Sequence, residues 1–179
     1  KTIGIENGNF FPTAGAAVPD EICEFVHSVG INMLVGYGLT ESTATVSCFQ
    51  NSGYEIGSVG TVMPDVEVKI GENNEILLRG KTITKGYYKK AEATAEAIDK
   101  EGWFHTGDAG YLNGDCLYLT ERIKDLFKTS NGKYISPQAL ETKLAIDRYI
   151  DQIAIIADQR KFVSALIVPM YGFVKDYAK

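Results

Sequence analysis

Three short segments of the chain carry side chains that could do chemistry. Gly36-Tyr37-Gly38-Leu39-Thr40-Glu41 combines two glycines that let backbone approach a ligand with an aromatic face, a hydroxyl and a carboxylate. These are parts for a nucleotide site: a π-face for a base, a donor for phosphate, an oxygen ligand for Mg²⁺. The spacing is not G-x-G-x-x-G, and the same residues would serve an ordinary strand-to-helix turn. Thr106-Gly107-Asp108 makes a tight turn whose Asp could accept hydrogen bonds from two ribose hydroxyls, or could bond its own backbone. Arg122-Ile123-Lys124-Asp125, followed by Lys128, Gly132 and Lys133, is a locally basic loop that could face an anion or lie solvated. Gly132-Lys133 is not a P-loop, because Tyr134 stands where Ser or Thr is needed and no Gly lies five residues upstream. There is no G-x-S-x-G, and neither His27 nor His105 sits in a triad-like setting, so no nucleophilic catalyst can be assembled.

The elements that must position these segments are legible as patterns. Asp20 to Gly30 reads as a helix, since Ile22, Phe25, Val26 and Val29 recur at i, i+3, i+4, i+7, with Pro19 at its start and Gly30 past its end. Ile31 to Val35 is a short apolar run, read as a buried strand ending in a loop at Gly36-Tyr37-Gly38. Val66, Val68 and Ile70 alternate with Glu67 and Lys69 as a half-buried strand. Gly71-Glu72-Asn73-Asn74 is turn chemistry, and Glu75 to Leu78 returns as a second strand. Ala91 to Ile98 is rich in helix formers. Tyr111-Leu112 and Cys116 to Leu119 flank Asn113-Gly114-Asp115 as a hairpin. Ser136-Pro137 opens a helix through about Asp147, with Leu140, Leu144 and Ile146 expected towards the core. Gln152 to Ala157 and Phe162 to Val168 then read as strands. The order predicts an α+β chain with a boundary near 120–126.

Composition narrows the function classes. The 179 residues are 45% hydrophobic and 23% charged, with a formal charge of −5, so nothing recommends a nucleic-acid partner. No apolar stretch approaches the ~20 residues of a transmembrane span. The start on Lys1 suggests a piece of something longer. Cys23, Cys48 and Cys116 are an odd, scattered set, read as buried thiols in a reducing cytosol, and two histidines make a zinc site poorly provided.

Taken together, the ordered segments resemble the adenylate-forming, AMP-binding superfamily of acyl-CoA synthetases, luciferases and peptide-synthetase adenylation domains. The resemblance runs over almost the whole chain, from Gly15-Ala16-Ala17 through Gly36–Glu41, Gly86-Tyr87-Tyr88, Trp103–Asp108 and Glu121–Asp125. The stretches Leu126–Pro137 and Arg160–Pro169 look most like the long-chain fatty acid–CoA ligases. The resemblance implies the end of a large adenylation domain over 1–122, including a small distorted β-barrel-like subdomain. A hinge and a partial α+β lid domain would follow over 123–179.

By the same resemblance, Gly15, Ala16 and Ala17 would line the adenine pocket and Tyr37, beside Gly38, would stack on the base. Thr40 would meet the α-phosphate, Glu41 would hold Mg²⁺, and Asp108 and Arg122 would grip the ribose. Lys124 would be the hinge, and Gly132 would let the pantetheine arm of coenzyme A pass. Ala17 stands where the family often has Pro, and Glu121 where Gly or Asp is more frequent. The implied reaction joins a fatty acid to CoA through an acyl-adenylate, using ATP and Mg²⁺, with a cytoplasmic setting and peripheral membrane association allowed. The family's phosphate loop and adenylation lysine fall outside these residues, so the chain alone is expected to be inactive and to self-associate. A luciferase-like or peptide-synthetase enzyme, or a non-catalytic nucleotide-binding module, is the alternative.

Overall fold

Short-period alternation and turn chemistry become strands through most of the first 120 residues. The computed structural model describes residues 10–43, 45–50, 55–123, 126–128, 134–158 and 160–178. They divide into two compact units, Lys1–Thr120 and Glu121–Lys179.

The first unit runs β1 (Phe11–Thr13), α1 (Asp20–Ser28), β2 (Met33–Tyr37), β3 (Ser47–Cys48), β4 (Thr61–Val62), β5 (Val66–Ile70), β6 (Glu75–Gly80), α2 (Ala91–Ala97) and β7 (Phe104–Asn113). The last strand, β8 (Cys116–Arg122), carries the chain into the second unit. The strands form one sheet in the order β1-β2-β3-β4-β8-β7-β6-β5. The β1–β2 pair is parallel, whereas β2–β3, β3–β4, β4–β8, β5–β6 and β6–β7 are antiparallel. Among the described residues no ladder joins β5 to β1, so this sheet is open and the barrel-like subdomain expected from the sequence is not a closed barrel.

The β5–β6 hairpin shows why local pattern suffices in places. Val66 pairs with Gly80 and Ile70 with Ile76, and the turn puts Asn73 and Asn74 at φ of 54° and 60°. Asparagine tolerates that left-handed region better than most residues. The core gathers Val46, Val66, Ile76, Leu78, Phe104 and Leu117 around the buried ring of Tyr37. Ile76, Leu77 and Leu78 are buried in succession, so both faces of β6 are covered. Each such side chain contributes roughly 2–3 kcal/mol of burial.

Helix α1 forms as its periodicity predicts, but of its apolar stripe only Val26 is half-buried and the rest is exposed. Ile22, Phe25 and Val29 are 48%, 65% and 54% exposed, while Cys23 is 2% exposed against Leu34, Val35 and Phe49. Cys23 sits one residue, about 100°, around the helix from Ile22. The strand after it runs through Gly36 and Tyr37, beyond the end expected at Val35. Cys23, Cys48 and Cys116 are free thiols, the first buried and the others half-buried, and burial raises the pKa of each.

The second unit holds β9 (Phe127–Lys128) antiparallel to β10 (Tyr134–Ile135), then α3 (Pro137–Leu144). After it come β11 (Ile150–Ile156) antiparallel to β12 (Ser164–Pro169), and α4 (Tyr171–Tyr177), which the sequence reading omitted. Helix α3 stops at Leu144 rather than near Asp147, and Leu140, Leu144 and Ile146 are exposed instead of core-facing. Polar chemistry ties it down: Glu141 Oε1 accepts the Ile155 N–H at 2.7 Å, and Pro137 is its buried residue. Among the described residues, no helix is long and apolar enough to cross a membrane.

Candidate nucleotide site

Strands β1 and β2 run parallel in register, with Thr13 opposite Val35. Gly15 comes shortly after the first and Tyr37 closes the second, so both lie at the carboxyl ends of the pair. That edge is where ligands dock on parallel strands. The Gly15-Ala16-Ala17 loop is exposed there, with Gly15 at φ 90°. Beyond Tyr37 and the half-buried Gly38, the chain enters a 3₁₀ turn over Thr40–Ser42. Ser42 locks the turn: its Oγ accepts the Leu39 N–H at 2.9 Å and donates to the Leu39 carbonyl at 3.0 Å. Thr40 is left exposed and Glu41 half-buried.

The second motif arrives by a different device. Across the β6–β7 ladder, Leu77 pairs with His105 and Glu75 with Ala109, so β7 spends extra residues over Thr106-Gly107-Asp108. The motif is therefore a bulge, which re-aims a side chain that a regular strand would point elsewhere. Gly107 sits at φ 73°, a conformation that favours glycine. The buried Thr106 hydroxyl donates to the Ile76 carbonyl at 2.7 Å and accepts the Asp108 N–H at 3.0 Å. Asp108 then meets the first motif, because the Tyr37 hydroxyl donates to its Oδ2 at 2.7 Å across 71 residues of sequence.

Two carboxylates hold the arrangement from behind, and sequence reasoning gave neither contact. Glu75 Oε1 accepts the Gly107 N–H at 2.9 Å, while its Oε2 lies 2.8 Å from His105 Nδ1. His105 Nε2 is 3.8 Å from Asp99 Oδ2. Asp99 accepts the Trp103 and Glu101 N–H groups, both at 2.9 Å. The Trp103 bond is the main reason its carboxyl stays below the usual range.

Glu41 is approached by the Tyr87 hydroxyl, 2.9 Å from its Oε1, and the Glu41 carbonyl accepts the Thr84 N–H at 2.7 Å. Burial, then the hydrogen bond to Glu41, raises the Tyr87 pKa. Thr94 of α2 fixes that tyrosine, its Oγ1 accepting the Tyr87 N–H at 2.9 Å. Gly86 has φ 137°, and a Cβ there would lie 2.5 Å from Thr94 Cγ2. The Gly86-Tyr87-Tyr88 and Trp103–Asp108 runs were visible signals; the partners of Tyr87 and His105 were not.

The first unit thus brings Tyr37 to Asp108 and Tyr87 to Glu41, with Gly15–Ala17 on the same strand-end edge as Tyr37. Arg122 is exposed at the end of β8 in the second unit. Lys124 and Gly132 lie outside the described residues. Glu41, bonded by Tyr87, offers one hard oxygen of the kind Mg²⁺ shares with phosphates, and among the described residues no group of three or more His, Cys, Asp or Glu gathers to hold a metal by itself.

Residues 9–88 match the family model described as AMP-binding enzyme. Over 156 residues the chain is 34% identical to the long-chain-fatty-acid–CoA ligase FadD15 of Mycobacterium bovis, covering 87% of this chain and 26% of that protein. It is 37% identical over 166 residues to the long-chain-fatty-acid–CoA ligase ACSBG1 of Mus musculus, covering 89% of this chain and 23% of that one. The chain therefore spans about a quarter of the length of these curated relatives. Among solved structures it matches O-succinylbenzoate coenzyme A synthetase (MenE) of Bacillus subtilis in complex with ATP and magnesium ion. That match has a TM-score of 0.78 and 26% identity, over 95% of this chain and 39% of that one. The ordered motifs, the fold and these likenesses agree: the chain belongs to the AMP-binding, adenylate-forming enzyme family.

Proposed function

We propose that the protein is a long-chain fatty acid–CoA ligase, and that this chain supplies the adenosine-binding part of its large domain (1–122) and the start of its mobile lid (123–179). The observation that supports the reading is the hydrogen bond from Tyr37 to Asp108, which joins the two residues that the reading assigns to the base and the ribose. The curated relatives are named long-chain-fatty-acid–CoA ligases, which favours this substrate class over the luciferase-like and peptide-synthetase alternatives.

In this reading a fatty carboxylate attacks the α-phosphorus of ATP, giving acyl-adenylate and pyrophosphate, and the CoA thiol then displaces AMP to form the thioester. Gly15, Ala16 and Ala17 border the adenine through backbone, where small side chains permit close approach. Tyr37 stacks on the base, Gly38 leaves room beside it, and Asp108 and Arg122 accept and donate to the ribose hydroxyls. Thr40 donates to the α-phosphate region. Glu41 holds Mg²⁺, which when bound supplies charge neutralisation on the phosphates. The contribution of these residues is positioning, which converts a bimolecular encounter into an oriented one. Lys124 is proposed as the pivot of the lid and Gly132 as the thin backbone beside the pantetheine arm. A cytoplasmic setting belongs to the same reading.

The experiment is a calorimetric titration of the chain with AMP and with a non-hydrolysable long-chain acyl-adenylate mimic. Binding is expected, tighter for the mimic, and weakened about tenfold or more by Asp108→Ala, as loss of a charge-assisted hydrogen bond pair requires. No binding, or binding indifferent to Asp108→Ala, would remove the adenosine site and the reading with it.

A further inference from the structure

The conformation of the Thr106-Gly107-Asp108 bulge is not self-supporting. Gly107 at φ 73° turns its N–H out of the β6–β7 ladder, and a half-buried N–H needs an acceptor. That acceptor comes from the opposite strand: Glu75 Oε1, at 2.9 Å and 32 residues away in sequence. The other oxygen of the same carboxylate is engaged by His105 at 2.8 Å, so the Glu75 side chain, 21% exposed, is gripped at both oxygens. His105 is in turn faced by Asp99 at 3.8 Å. Glu75 also begins the strand whose next residue, Ile76, takes the Thr106 hydroxyl at its carbonyl. Both ends of the bulge are thereby referred to one two-residue segment of β6.

We propose that Glu75 is a positioning residue of the nucleotide site: by holding the Gly107 N–H and His105 it sets the bulge that presents Asp108 to the ribose hydroxyls. This rests on the adenosine reading above. Glu75 itself touches no ligand. Its removal would leave Gly107 free to relax into a regular strand, swinging Asp108 away from the Tyr37 hydroxyl. Sensitivity to ribose hydroxyls should therefore fall to what Arg122 alone supplies, whereas stacking of the base on Tyr37 should survive.

The test compares AMP with 2′,3′-dideoxy-AMP on the 179-residue chain and on two variants, Glu75→Leu and Glu75→Gln. The unaltered chain should prefer AMP by about tenfold or more, the ratio expected for hydrogen bonds to a charged group. Glu75→Leu, which has no acceptor, should bring the two ligands within about threefold of each other by weakening AMP and sparing the dideoxy analogue. Glu75→Gln keeps an amide oxygen for the Gly107 N–H and should retain part of the preference. If Glu75→Leu loses its cooperative melting transition, the Gln variant decides alone: a reduced preference supports the assignment. A folded variant of either kind with the full preference overturns it. An unaltered chain that binds AMP and the dideoxy analogue equally overturns the adenosine reading itself, and the positioning role falls with it.

Discussion

Removing one hydroxyl at Tyr37 tests whether the Tyr37 and Asp108 segments are joined as the structure shows. Tyr37→Phe keeps the ring, which is 8% exposed and packs in the core with Val46, Phe104 and Leu117, so the apolar contribution is unchanged. What disappears is a donor 2.7 Å from Asp108 Oδ2. Hydrogen bonds to a charged partner are worth about 1.5–3 kcal/mol. Asp108 is half-buried, so water replaces part of the donor and the expected loss is about 1–2 kcal/mol. The single tryptophan, Trp103, is buried in the same unit and reports its unfolding in urea. A double-mutant cycle with Asp108→Ala isolates the pair, and its coupling should be about 1 kcal/mol. Single effects that add to within about 0.3 kcal/mol would refute the pairing.

Three further outcomes follow from contacts in the first unit. Gly60 has φ 87°, and a Cβ there would lie 2.0 Å from the Cys48 carbonyl carbon. Gly60→Ala should thus cost roughly 4 kcal/mol or more, and urea unfolding at the parent midpoint would show the reasoning mistaken. Asp99 has a depressed folded pKa, so its contribution is present above the ordinary aspartate value of about 3.9 and lost as pH falls through the folded one. Melting temperature should fall as pH is lowered below about 5, and the fall should be shallower in Asp99→Asn; identical slopes would count against it. Tyr87→Phe releases the Glu41 carboxylate. The Mg²⁺ concentration that half-saturates ATP binding should rise about threefold or more, with metal-free AMP binding unchanged; a parallel loss of AMP affinity would point to general damage instead.

Structural elements whose instructions are local were legible in the residues alone. The 66–80 hairpin follows from alternation and an Asn-Asn turn, and α1 from its period and its flanking Pro19 and Gly30. The family resemblance named Gly15 to Ala17 and Tyr37, which lie at the carboxyl ends of β1 and β2, Glu41 in the turn that follows, and Asp108 in the β7 bulge. Which side of an element is buried was another matter. A stripe at Ile22, Phe25, Val26 and Val29 marks a helix, but the residue buried against β2 is Cys23, beside the half-buried Val26. Leu140, Leu144 and Ile146 are likewise exposed in this structure, where the Glu141 carboxylate of α3 takes the Ile155 N–H of β11.

The sequence by itself therefore determined the segments, their periods and the chemistry they carry, since propensity, alternation and turn preference act between near neighbours. The tertiary structure alone decided that Tyr37 meets Asp108, that Glu75 holds Gly107 and that Tyr87 reaches Glu41. Those pairs depend on strand order and on a bulge in the β6–β7 ladder, and both are set by collective packing over long separations along the chain.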